Sequence, residues 1–133
     1  MKPSFTEGPL IIGAIQAQRY PSFDKMSTAG SAKPELTAKH LLSKDHRTLR
    51  IGVKVSFEIF TAEKILAFKL VVEAYSEFRF EDSLDEGTVR EAIFLNPFIS
   101  PMLQRVYGRM EAIASSMGVS LKMPMVVQDP VEG

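Results

Sequence analysis

Apolar and polar residues alternate most regularly between Leu49 and Ile59, where Leu49, Ile51, Val53, Val55, Phe57 and Ile59 are separated by Arg50, Gly52, Lys54, Ser56 and Glu58. A period of two puts one set on each face of a pleated strand, so this stretch predicts a strand buried on one side. The next segment begins ambiguously, since Ala62 to Leu66 holds good helix formers and Ile65, Phe68 and Val72 would share a helical face. Leu66, Phe68, Leu70, Val72, Ala74, Phe78 and Phe80 all fall on even positions, and their β-branched and aromatic content favours a second strand reaching Phe80. Thr61 to Glu63 would join the two as a hairpin without the favoured Gly- or Asn-containing turn. The other face of the second strand mixes Ile65, Ala67, Val71 and Tyr75 with charges and is too apolar for an ordinary solvated face.

Upstream, Met1 to Gly8 lacks periodicity and reads as a loose arm. Leu10 to Tyr20 predicts a first strand, with Ile11, Ile15 and Ala17 on one face and Leu10, Ile12 and Ala14 on the other. Apolar residues on both faces imply cover from two sides or a partner chain. Asp24 to Glu35 is rich in Ser, Thr, Ala, Gly, Lys and Pro and reads as a crossover loop. Leu36 to Leu42 follows as a weaker strand, ended by the polar Ser43 to Arg47.

Downstream, Glu81 to Glu86 is acidic and turn-like, and Thr88 to Leu95 predicts a short helix stopped by Asn96 and Pro97. A second helix is expected from Ser100 as N-cap and Pro101 at the first position. Its stripe is Leu103, Val106, Met110, Ile113 and Met117, with Gly118 as the cap. Val119 to Val127 is interrupted by Pro124 and reads as an edge or tail, and Gln128 to Gly133 as frayed. Four strands followed by helices predict one α+β domain over residues 1–133, a four-stranded antiparallel sheet with C-terminal helices on one face and flexible segments at 1–8 and 128–133.

A chain of 133 residues suits one core. Its 45% hydrophobic and 24% charged content argues for a folded chain rather than a disordered one. Sixteen basic and sixteen acidic residues cancel, which lowers the expectation of nucleic-acid or anionic-membrane partners. The absence of cysteine excludes disulfides, thiolate metal sites and thiol nucleophiles. Pro9 to Ile15 is too short for a secretion h-region, and no apolar run reaches the roughly 20 residues of a membrane span, so the expected location is cytoplasmic.

Catalytic groups are sparse. His40 and His46 stand in no recognisable motif, and their spacing of six aligns two metal ligands on neither strand nor helix. Glu81, Asp82, Asp85 and Glu86 lack the alternation and central glycine of a calcium loop and read as a solvated turn. The Gly8 and Gly13 pair has no phosphate-loop lysine, and Tyr75, Phe78 and Arg79 are only a weak approach to a nucleic-acid stacking site. Gly108 inside the second helix costs about 1 kcal/mol relative to Ala. The chain is therefore expected to be no enzyme, without cofactor or metal.

What stands out is apolar material beyond a simple core: Tyr20, Phe23 and Met26 beside the long loop, and Phe98, Ile99 and Met102 around the helix start. Each large apolar side chain left in water forgoes about 1.5–3 kcal/mol, so each packs internally or waits for a partner. Flexible Met in such a groove suits varied partners.

The order of elements and several local sequences resemble the SecB family of protein-binding chaperones. The matching pieces are Leu10 to Tyr20, the Asp24 to Glu35 loop, Arg50 to Phe60, Ala67 to Phe80, Phe98-Ile99-Ser100-Pro101 leading into the helix, and Gly118-Val119-Ser120-Leu121-Lys122-Met123-Pro124. The resemblance implies an ATP-independent holdase for unfolded or nascent polypeptides, in protein export or a related task, assembled as a dimer of dimers. By position it places client contacts at Tyr20, Phe23, Met26, Phe98, Ile99 and Met102. A partner subunit would then account for Ile11, Ile15, Val71 and Tyr75. The chain departs from the family's acidity, has Val71 where a sheet-face carboxylate docks the SecA motor, and stops soon after Pro124. SecA is thus doubtful as a partner, and a specialised relative serving a toxin–antitoxin pair is the other expectation. Two further classes fit the same residues: a sheet closed by the helix around a small apolar ligand, and a structural assembly subunit.

Overall fold

The computed structural model describes residues 4–25 and 31–121, with side chains from residue 34 onward in the second stretch. Its elements are β1 (Phe5–Glu7), β2 (Ile11–Arg19), α1 (Pro21–Asp24), β3 (Ser31–Leu42), β4 (Thr48–Phe60), β5 (Leu66–Phe80), α2 (Glu86–Val89) and α3 (Ala92–Ser116). The alternation in β4 and β5 does what the sequence predicts. Antiparallel pairing sets Leu49 against Phe78, Val53 against Ala74, Val55 against Val72 and Phe57 against Leu70, so both apolar sets emerge on one face. Between the strands, Thr61 closes the turn through its own N–H to Ile65 O and through its Oγ1, which accepts from Ile65 N–H. Lys64 takes the left-handed conformation at φ 66° that Gly or Asn would otherwise supply.

The sheet is antiparallel and has five strands in four positions. β3 pairs β4, β4 pairs β5, and both β1 and β2 pair β5. β1 lies opposite 78–80 and β2 opposite 68–75, one after the other along a single edge. Gly8 N–H donates to Glu77 O at 2.8 Å and carries the ladder between them. Phe5–Glu7, expected within a loose arm, is thus a strand of the sheet. β3 forms the opposite edge and begins at Ser31, inside the segment expected to be loop. Pro34 breaks no ladder there, because its missing donor faces the open side of an edge strand. Between the two edges the chain passes the end of the β4–β5 hairpin. Tyr20 N–H donates to Ala67 O and Ser22 Oγ to Leu66 O as it does so.

One register shift changes which side chains share a face. At Gly13 the β2–β5 pairing slips between Ile12 and Ala14. Ile11 therefore lies opposite Tyr75, whereas Ile12, Ile15 and Ala17 lie opposite Ala74, Val72 and Leu70 on the helix side. The sequence expectation that Ile11 and Ile15 share a face is corrected by this bulge, since one extra residue sends every later side chain to the other side.

Helix α3 also departs from expectation. Asn96 and Pro97 do not stop it, Ser100 is not its N-cap, and it runs from Ala92 to Ser116 with Pro97 and Pro101 inside. Glu91 is the N-cap, its carbonyl accepting from Phe94 and Leu95 N–H. The buried stripe explains how the helix survives both prolines. Leu95, Ile99, Met102, Leu103, Val106, Tyr107, Met110 and Ala114 recur at three- and four-residue steps and pack on the sheet, while Pro97 and Pro101 are exposed. At the far end, Gly118 N–H reaches Ser115 O and Val119 N–H reaches Ala114 O, with Gly118 at φ 77°. That is the expected glycine cap. Nothing lies within 4 Å of a Cβ added at Gly118, so Gly118→Ala should cost only the left-handed backbone penalty, about 1 kcal/mol in urea unfolding. Val119 and Leu121 then close on the core. The expectations for Pro124 and for 128–133 lie outside the described residues.

Candidate functional site

The groove expected from the sequence is only partly a groove. Ile99 and Met102 are each 1% exposed and belong to the core between α3 and the sheet. Their assignment to an open client surface is corrected by the true start of the helix. With α3 beginning at Ala92, both fall on the buried stripe rather than at a loosely packed end. Phe98, Tyr20 and Phe23 are half-buried. Arg19 stacks on the Phe23 ring at 4.9 Å and pairs with Asp24, which fixes the turn into α1. Met26 lies outside the described residues.

Around Phe98 the structure assembles a feature that the sequence alone did not reveal. Its ring lies 4.9 Å from Phe78, 5.1 Å from Phe5, 5.4 Å from Phe94 and 6.0 Å from Phe80, centroid to centroid. Edge-on and tilted contacts of this kind are favourable for aromatic quadrupoles. Phe78 and Phe80 come from the helix face of β5, Phe94 and Phe98 from successive turns of α3, and Phe5 from β1. Phe5 remains 42% exposed over the cluster. A lone aromatic in an aperiodic arm gives no period to detect. The only signal available was that the N-terminal segment contained an unexplained Phe.

The second candidate surface is the edge formed by β2. Among the described residues β2 pairs with β5 alone, and Ile11 and Ile15 on it are 42% and 53% exposed. Edge strands usually carry Lys, Pro or another device against further pairing. β3 has Pro34 and Lys39, whereas β2 reads Ile-Ile-Gly-Ala-Ile-Gln-Ala-Gln before its first charge at Arg19. Val71 and Tyr75 are half-buried on the sheet face away from the helix. Gly52 is the register partner of Tyr75 on β4, Gly13 of β2 lies beside the Tyr75 ring, and Arg50 covers the ring at 4.9 Å. Arg50 also donates to Glu77 at 2.6 Å, a bond that raises its already high pKa. Lys54 faces Glu73 at 3.9 Å. The face expected to be unusually apolar is therefore crossed by cross-strand ion pairs. A shallow depression of about 530 Å³ on it is lined by Thr37, Lys39, Lys54, Glu73 and Tyr75. Gly13, Gly52, Val53 and Ala74 complete its floor, and it lies open on the face away from the helix rather than enclosed beneath the helix as a small-ligand carrier would need.

Several of the remaining polar residues have structural partners. His46 Nδ1 lies 3.0 Å from Leu84 O and its carbonyl accepts from Leu84 N–H, which ties the β3–β4 turn to the segment before α2. Asp45 bonds Ser43 Oγ and Arg47 N–H, and these bonds lower its pKa. Asp85 caps α2 by accepting from Thr88. Among the described residues no three acidic or histidine side chains form a metal-holding group, and no helix is long and apolar enough to cross a membrane.

A single antiparallel sheet with a long helix laid over one face and a crossover between its two edges is a SecB-like fold. A solved structure that shares it is the Mycobacterium tuberculosis Rv1957 SecB-like chaperone in complex with a ChAD peptide from the Rv1956 HigA1 antitoxin. The TM-score is 0.62 at 10% identity, over 93% of this chain and 91% of that one. A protein of unknown function from Streptococcus agalactiae matches at a TM-score of 0.48 and 12% identity, over 92% of this chain and all of that one. No family model and no curated protein matches the chain.

Proposed function

We propose that this chain is an ATP-independent holdase that keeps unfolded or nascent polypeptides from aggregating. The observation that carries the reading is the apolar surface one folded copy leaves uncovered, which includes Phe5, Ile11, Ile15, Leu41, Ile65 and Ile93 among the described residues. Much of it lies on or beside strand edges, where an extended chain can add main-chain hydrogen bonds to apolar contacts. The SecB-like fold supports the same reading, because the similar Rv1957 structure is a chaperone holding a peptide.

Two surfaces divide the work in this proposal. The unguarded β2 edge with Ile11 and Ile15, and the adjoining Val71 and Tyr75, join copies of the chain into an oligomer. Tyr20, Phe23 and Phe98 are the reachable members of the client-binding set, and Ile99 and Met102 support Phe98 from beneath by fixing α3.

The purified chain should suppress light scattering of a chemically denatured client at about one assembly per client chain, without nucleotide. Native mass spectrometry of the same sample should show an oligomer. Unabated client aggregation at several-fold excess of the chain would remove the holdase reading. Suppression by a strictly monomeric species would remove the β2 interface alone.

A further inference from the structure

Among the described strands, β1 is the shortest and pairs only with β5. It has three residues, and Gly8-Pro9-Leu10 separates it from β2. Besides backbone pairing with β5, its anchors are Phe5 and Glu7. Phe5 sits at 5.1–5.9 Å from the rings of Phe98, Phe80 and Phe78. Glu7 reaches Arg105 of α3 at 3.5 Å. Glu81 N–H to Ser4 O and Gly8 N–H to Glu77 O mark the two ends of its ladder.

This is the geometry of a peptide bound by strand addition. Main-chain pairing along an edge supplies affinity, and a pocket for an alternate side chain supplies preference. The covering strand comes from the same chain, but its contacts are those any extended segment could make. Two of them are selective: an aromatic ring in the Phe cluster, and, two residues later, a carboxylate at Arg105.

We propose that β1 is a built-in stand-in for client. When it lifts, the 78–80 edge of β5 and the pocket of Phe78, Phe80, Phe94 and Phe98 take up an extended client segment of the form aromatic-x-acidic. The inference rests on the holdase reading and deepens it by naming the segment preferred. A tethered strand competes at high effective concentration. It therefore keeps the pocket covered in the idle protein and sets the affinity a client must exceed. Segments that bring only aliphatic residues lack the ring contacts that β1 makes and are excluded first.

The test uses a fluorescently labelled, unstructured peptide with one Phe-Thr-Glu sequence, and anisotropy titration of the full chain. Phe5→Ala weakens the occupant and leaves the pocket walls intact. It should tighten peptide binding by about tenfold, because apparent affinity scales with the fraction of open sites. A reversible lock guards against a folding defect in that variant. Thr6 and Arg79 are paired, exposed positions on β1 and β5. Their Cα atoms should lie about 5.5 Å apart, within disulfide reach. The chain has no other cysteine, so Thr6→Cys with Arg79→Cys can form only this bridge within one copy. Oxidation should lower peptide affinity at least tenfold and reduction should restore it. Equal affinity in the oxidised and reduced forms, or no tightening in Phe5→Ala, overturns the proposal while leaving the holdase reading standing. Failure of the reduced protein to bind any unfolded peptide overturns both. A peptide with Ala in place of its Phe should gain nothing from either change.

Discussion

Ile99→Ala should lower the unfolding free energy by about 2–5 kcal/mol, the range for truncating a fully buried aliphatic side chain whose site cannot collapse. Met102→Ala should fall in the same range. Domains hold only about 5–15 kcal/mol in total, so either change threatens a large share of it. For a chain of this size the melting temperature should fall by roughly 10 °C or more. Ile93→Ala, in the same helix but 81% exposed, should stay within about 0.5 kcal/mol. Urea unfolding of the three variants checks the assignment of Ile99 and Met102 to the core. If Ile99→Ala kept wild-type stability and lost only peptide affinity, Ile99 would have to be returned to the client surface.

That contrast also shows where the sequence was readable. In β4 and β5 the burial of one face imposes a strict period, and a strict period can be read directly. The stripe through Leu103, Val106 and Met110 and the cap at Gly118 follow from equally local chemistry. Elsewhere the decisive contacts are distant in sequence. β3 begins at Ser31, ahead of its alternating Leu36 and Ala38, and Ser-Ala-Lys-Pro carries no apolar period, so it reads as loop. β1 exists because Phe5 meets rings more than 70 residues away. The bulge at Gly13 is a property of the β2–β5 pairing, and no single-strand pattern encodes it.

The candidate site suffered from one of these gaps in particular. Placing the helix start at Ser100 made Phe98, Ile99 and Met102 look like loosely held apolar residues at an element end. Starting it at Ala92 separates them: Phe98 joins the aromatic cluster at the surface, and Ile99 and Met102 become core. The cause of the misreading was proline chemistry, which carries a consequence of its own.

Pro101→Ala should stabilise the protein, against the usual direction of substitution. Proline in a helix interior is about 3 kcal/mol worse than alanine. Pro97 and Pro101 cannot donate to the carbonyls of Ile93 and Pro97, four residues earlier in each case. Both prolines are exposed, as are Ile93 and Arg105 on the same line of the helix, so replacing a ring with a methyl group empties no packed space. Alanine loosens the unfolded chain, which takes back about 0.4–1 kcal/mol. The net gain should be about 2 kcal/mol, read as a higher urea midpoint at unchanged m-value. Amide exchange should slow over residues 94–102, which include the Phe94 and Phe98 wall of the aromatic pocket. A neutral or destabilising result would mean that the prolines are accommodated by a local bend whose packing contributes as much as the lost hydrogen bonds. With the expected gain, the weakened ladder at the helix start is a stability cost borne beside the aromatic pocket.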